Sequence, residues 1–282
     1  MSPCTEGQAA GAAREEAKRL LAPTGLTVDQ LLAAEGFPDD SRAVVYLSGS
    51  IVSGHANPWS DIDVFAVADR GPSGAVHGIA TTNAVAPHFL GDRRVDYEFW
   101  RPAAVEELAR RLDAYDLASG TSIQGATFLR IEEIFIHRLR IGVPLLDEAG
   151  FARLQARFDF DRFAAFQTED AIRHLDAELE DLVGMRKGGD RDGALWVARQ
   201  VLDVSVEAYL HSLGNTDPVE KWRVRYLQEL PDSARHRQLQ ADYWRLQYPA
   251  AAVALRDDGD VWHRYVEEVI AFSNRVAAWA QG

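Results

Sequence analysis

The chain has 282 residues, 47% of them hydrophobic, enough to bury a sizeable core as one large domain or two smaller ones. Its formal net charge is −13, and acids outnumber Lys and Arg by 21 to 13 in residues 1–150 and by 22 to 17 in the rest. Neither half carries the cationic surplus that a phosphate backbone demands, which argues against a long nucleic-acid partner, whereas an acidic cleft attracts a cationic small molecule. No run of about 18 apolar residues occurs, so no transmembrane helix is expected. The N-terminus lacks the basic and apolar regions of a signal peptide, and the single cysteine, Cys4, cannot form an internal disulfide. A cytoplasmic protein is therefore expected, with Cys4 in a frayed tail and not in a catalytic role.

In chain order, residues 8–34 read as helical, with apolar positions at Ala17, Leu20, Leu21, Leu31 and Leu32 and a break at Pro23-Thr24-Gly25. Ala43–Leu47 is a short β-branched run, the pattern of a buried strand, and Gly49-Ser50 ends it. Ile51–Gly54 reads as the first turn of a helix, and Asn57-Pro58 marks a loop. Asp61–Ala68 alternates, with Asp61, Asp63 and Phe65 on one face and Ile62, Val64 and Ala66 on the other. Residues 69–83 are expected to form a loop, and Ala84–Leu90 and Arg93–Trp100 flank Gly91-Asp92 as a hairpin. Helices are predicted from Pro102 and over Ile123–Ile141, with Val143–Asp147 as a connector. Beyond residue 150 only helices are expected, near 151–157, 160–185, 190–213, 217–229, 232–246 and 259–280. The predicted class is α+β: a small mixed β-sheet domain followed by a C-terminal helical bundle. The boundaries are an N-terminal helical segment over 1–40, a catalytic domain over 41–150 and a helical bundle over 151–282.

The chemistry concentrates around one stretch. Asp61 and Asp63, at i and i+2 on a strand, project from one face, and hard oxygen donors at that spacing suit Mg²⁺. Alone, an Asp-x-Asp is an ordinary solvated edge. Here it follows Gly49-Ser50 by ten residues, and Gly49 lets the backbone approach a phosphate while Ser50 adds a hydroxyl donor. Arg94–Trp100 offers a third carboxylate, with Asp96 preferred and Glu98 the alternative, to ligate metal or to take a proton from an attacking hydroxyl. His55 reads as a solvated loop residue, and Glu132, Glu133 and His137 as polar faces of a helix without the spacing of a zinc site. Lys221 and Arg225, four residues apart on a predicted helix, form a two-cation face suited to a phosphate. Neither a P-loop nor a Gly-x-Gly-x-x-Gly element occurs.

The run Gly49-Ser50 with Pro58-Trp59-Ser60-Asp61-Ile62-Asp63 resembles the signature of the DNA polymerase β-like nucleotidyltransferases, most similar in motif to aminoglycoside adenylyltransferases. The close likeness covers residues 47–67; looser likeness reaches Val95–Tyr97, Gly142–Asp147 and the helical half. The resemblance implies Mg²⁺, ATP or another NTP as donor, and transfer of a nucleoside monophosphate with release of pyrophosphate. It places phosphate contacts at Gly49 and Ser50, metal acids at Asp61 and Asp63, a third acid at Asp96, and a triphosphate-facing lysine at Lys221. The expected acceptor is a hydroxyl on a small, cationic molecule such as an aminoglycoside, bound between the domains, a reading that links the chain to antibiotic resistance. The competing expectations are transfer to a protein or a tRNA end, and a nucleotide-binding module without turnover.

Overall fold

The computed structural model describes residues 4–37, 42–73, 77–79, 83–117, 128–249 and 259–282. The chain divides into two compact units, residues 1–114 with 124–159, and residues 115–123 with 160–282. No described helix is long and apolar enough to cross a membrane. The fold is α+β, with every described strand in the first unit.

The first unit opens with α1 (Cys4–Leu21), so Cys4 begins a helix where a frayed tail was expected. Helix α2 (Val28–Ala34) carries a reciprocal cap in which Gln30 N–H donates to Thr27 Oγ1 and Thr27 N–H donates to Gln30 Oε1. Next come β1 (Val44–Ser48), a single turn α3 (Ser50–Ser53) and β2 (Ile62–Val67). Strands β3 (His77–Ile79), β4 (Asn83–Leu90) and β5 (Arg93–Trp100) follow, then helices α4 (Pro102–Ala114) and α5 (Arg130–Ile141). Strand β6 (Val143–Leu146) and helix α6 (Glu148–Ala156) close the unit. The six strands form one sheet in the order β3-β4-β5-β2-β1-β6. The β2–β5 pair is parallel and all others are antiparallel.

Two strands depart from expectation. His77–Ile79 lies in the segment read as a loop, and Val143–Leu146 in the segment read as a connector. Both are short strands at the two edges of the sheet, and β6 carries Pro144, which an edge tolerates and a central strand does not. The predicted hairpin forms with Gly91 at φ +67, a conformation open to glycine at no steric cost. Of the predicted helix Ile123–Ile141, residues 130–141 are helical and residues 123–127 lie outside the described residues.

Strand alternation places a core on each side of the sheet. On one side Val45, Leu47, Ile62, Val64, Val95, Tyr97 and Phe99 pack with Ala17, Leu21, Val28 and Leu31 of α1 and α2. Each such aliphatic contributes roughly 1.5–3 kcal/mol on leaving water. On the other side Tyr46 stacks on Phe65 and meets Phe151, while Phe135 of α5 lies against Trp100 at 4.3 Å between ring centroids. This second face, ending in polar residues at its upper edge, carries the candidate site.

Every described element of the second unit is helical: α7 (Phe160–Gly188), α8 (Arg191–Ser212), a 3₁₀ turn (Glu220–Trp222), α9 (Arg223–Glu229), α10 (Ala234–Gln247) and α11 (Gly259–Gln281). Helix α8 is buried around most of its circumference, with Ala194, Val201, Leu202, Val206 and Tyr209 in the core, which marks it as the central helix. Inside the bundle Arg223 pairs with Glu207 at 2.8 Å and with Asp203 at 3.2 Å. Burial alone would raise the Glu207 carboxyl; its hydrogen bond with His211 and the charge of Arg223 overcome that and hold it at about 2.

Candidate functional site

The site begins where β1 ends. Gly49 adopts φ 81 and ψ −160, a region that is essentially glycine-only, and Ser50 starts the single turn α3. A second constraint acts at the same residue: a Cβ on Gly49 would lie 1.8 Å from Asp63 Oδ2. The missing side chain is the space in which the Asp63 carboxylate sits. Ser48 is the register partner of Asp63 in β1–β2, and Asp63 is the partner of Asp96 in β2–β5. The three side chains thus stand in one row across three strands. Ser48 Oγ donates to the Arg138 carbonyl at 2.8 Å, which ties α5 to the end of that row.

Asp61 precedes β2 at the end of a pinned loop. Trp59 N–H donates to Asn57 Oδ1 at 2.8 Å, Asn57 N–H donates to Ser60 Oγ at 2.9 Å, and Arg93 donates to the Pro58 carbonyl. These contacts deliver Asp61 to the cluster while Trp59 stands 92% exposed. Carboxylate oxygens of Asp61, Asp63 and Asp96 all lie within 4.8 Å of one another, and each residue is partly exposed. Two such charges about 5 Å apart repel by roughly 1 kcal/mol in water and 3 kcal/mol at an effective dielectric of about 20, so the arrangement favours a cation. Three hard oxygen donors facing one point, open to solvent on one side, fit a divalent ion such as Mg²⁺ that keeps part of its water shell or takes phosphate oxygens.

Two ionisable neighbours stand beside the cluster, Arg94 and Glu98. Arg94 forks onto Asp96, with Nε to Oδ1 and Nη2 to Oδ2 both at 2.8 Å. Glu98 accepts from Trp100 Nε1 at 2.7 Å and from Asn83 Nδ2 at 3.3 Å. Burial pushes the Glu98 carboxyl up to about 7, against those hydrogen bonds and with a further push from the Asp63 charge. Of the two acids considered for the third position, the geometry brings Asp96 to Asp61 and Asp63, and turns Glu98 to Trp100 and Asn83.

Lys221 and Arg225 belong to the helical unit. Both are exposed; Lys221 lies in the 3₁₀ turn with its Nζ 4.8 Å from the Trp222 ring centre, and Arg225 lies in α9, so a helix junction separates the two cations. His55, expected to be solvated, is buried, as are Glu132 and His137. Glu132 caps α5 by accepting from Leu129 N–H and pairs with Arg111 at 2.6 Å, which a helix-face reading does not anticipate. Arg94 went unassigned in the sequence, although its i−2 position on the strand of Asp96 is the signal that could have found it.

Residues 33–139 match the family described as the nucleotidyltransferase domain. That nucleotidyltransferase-like stretch holds Gly49, Ser50 and all three clustered aspartates. A nucleotidyltransferase-like protein from Exiguobacterium sibiricum 255-15, known from a crystal structure, is similar with a TM-score of 0.46 and 12% sequence identity, over 94% of this chain and 74% of that one. No curated protein matches.

Proposed function

We propose that the chain is a metal-dependent nucleotidyltransferase that moves a nucleoside monophosphate, from ATP or another NTP, onto a hydroxyl of a small cationic molecule. The observation that carries this reading is the convergence of Asp61, Asp63 and Asp96 beside the side-chain-free Gly49, within the stretch that matches the nucleotidyltransferase domain. In this reading Asp61 and Asp63 hold the metal, with Asp96 as the third acid. A divalent ion bound there neutralises the triphosphate and the charge that builds at the α-phosphorus. Gly49 and Ser50 receive phosphate oxygens at the end of β1. The acceptor oxygen bonds to the α-phosphorus, the bond to the bridging β-phosphate oxygen breaks, and pyrophosphate leaves with that electron pair. The hydroxyl proton passes to an Asp96 carboxylate oxygen. Lys221 and Arg225 take the charge of the β- and γ-phosphates. The acid surplus of the chain supports a cationic acceptor, of which aminoglycosides are the natural first panel.

The test is transfer of label from α-labelled ATP to that panel, with Asp63→Asn beside the wild type. The reading expects labelled small-molecule product and pyrophosphate from the wild type, and a loss of at least about a hundredfold in the variant. Transfer at the wild-type rate by Asp63→Asn overturns the metal role. Label appearing on protein or tRNA instead moves the acceptor to a macromolecule.

A further inference from the structure

The site contains a cation of its own. Arg94 lies two residues before Asp96 on β5, so both side chains leave the same face of the strand. Its guanidinium engages both Asp96 oxygens, and carboxylate oxygens of Asp61 and Asp63 lie within 4.8 Å of those of Asp96. The fork occupies two of the roughly four lone-pair sites of Asp96, which a metal ligand or proton acceptor needs. The Arg94 side chain is 52% exposed while that of Asp96 is 15% exposed, so the arginine has solvent to move into and the acid does not.

We propose that Arg94 is a displaceable counter-ion: it neutralises the carboxylate triad when no metal is bound, competes with the divalent ion for Asp96, and swings outward when the ion arrives. The competition sets the metal affinity of the empty site and keeps Asp96 from acting before the site is loaded. This rests on the reading that Asp61, Asp63 and Asp96 hold a divalent ion.

The experiment is Mn²⁺ titration by calorimetry of the nucleotide-free full chain, comparing wild type, Arg94→Ala, Arg94→Gln and Asp63→Asn. An exposed ion pair of this kind is weak, so its removal is expected to tighten Mn²⁺ binding about three- to tenfold in both Arg94 variants, while Asp63→Asn abolishes binding. Mn²⁺ binding seen only in the Arg94 variants also supports the proposal. Unchanged or weaker binding in both Arg94 variants, with Asp63→Asn still defective, overturns the counter-ion role and leaves the metal site standing. Wild-type affinity in Asp63→Asn, or no binding in any of the four proteins, overturns the metal reading and the proposal with it.

Discussion

Replacing Gly49 with alanine introduces one methyl group at the point where two constraints meet. The backbone at φ 81 and ψ −160 is strained for any residue with a side chain, at about 1–3 kcal/mol. The new Cβ would sit 1.8 Å from Asp63 Oδ2 and 2.7 Å from its Cγ, where real contacts begin near 3.0 Å, so the carboxylate oxygen must withdraw by about 1.2 Å. Misplacement of a functional group by about 1 Å can cost about a hundredfold in rate. Asp63 is flanked by its register partners Ser48 and Asp96, which restricts where it can go. We therefore expect Gly49→Ala to fold, to lose about 1–3 kcal/mol of stability, and to bind Mn²⁺ at least about tenfold more weakly. For a protein of this size that loss lowers the melting temperature by about 2–10 °C. Thermal unfolding and Mn²⁺ calorimetry measure the two effects separately. A variant with wild-type melting temperature and wild-type metal affinity would refute both the strain and the contact.

Glu98→Gln tests the raised carboxyl beside the triad. The folded carboxyl keeps its proton up to about pH 7, while the unfolded one releases it near 4.5, so the native state binds more protons in that window and stability falls as pH rises through it. With the hydrogen bonds from Trp100 and Asn83 kept and the charge removed, the variant should escape a loss of up to about 3 kcal/mol between pH 5 and 8 in metal-free buffer, and parallel unfolding profiles would contradict this. In the helical unit, Arg223→Ala leaves Glu207 and Asp203 facing each other without their cation, and denaturant unfolding should show a loss of about 2–4 kcal/mol. Because Glu207 sits at about 2 instead of 4.5, its stabilising contribution is present above pH 4.5 and disappears as pH falls toward 2; acid unfolding of Glu207→Gln should lack that component. Lys221→Ala is expected to raise the KM for the NTP about tenfold with kcat nearly unchanged, and an unaltered KM would remove Lys221 from the phosphate site.

What the sequence discloses about this fold follows the range of the interactions involved. The hairpin is legible because Gly91-Asp92 and the alternation on either side are local: the turn dictates the pairing of the residues next to it. Strand β6 is not, because its partner β1 lies about a hundred residues earlier and a four-residue run containing Pro144 carries no periodic signal of its own. Glu132 looks like a surface residue on an amphipathic helix until Arg111 of α4 arrives to pair with it. The third acid shows the limit most sharply. Alternation alone places Arg94, Asp96 and Glu98 on one face of β5 and ranks none of them. The parallel register ranks them: it sets Asp96 opposite Asp63 and Glu98 opposite Phe65. One carboxylate therefore meets the acid cluster, while the other is set beside the aromatic wall of Phe65, Trp100 and Phe135, where burial pushes it up to about 7. A slip of two residues would set Glu98 opposite Asp63 without changing which face it occupies, so the division of labour between Asp96 and Glu98 is a property of how β5 is fed back beside β2 by the β3–β4 excursion.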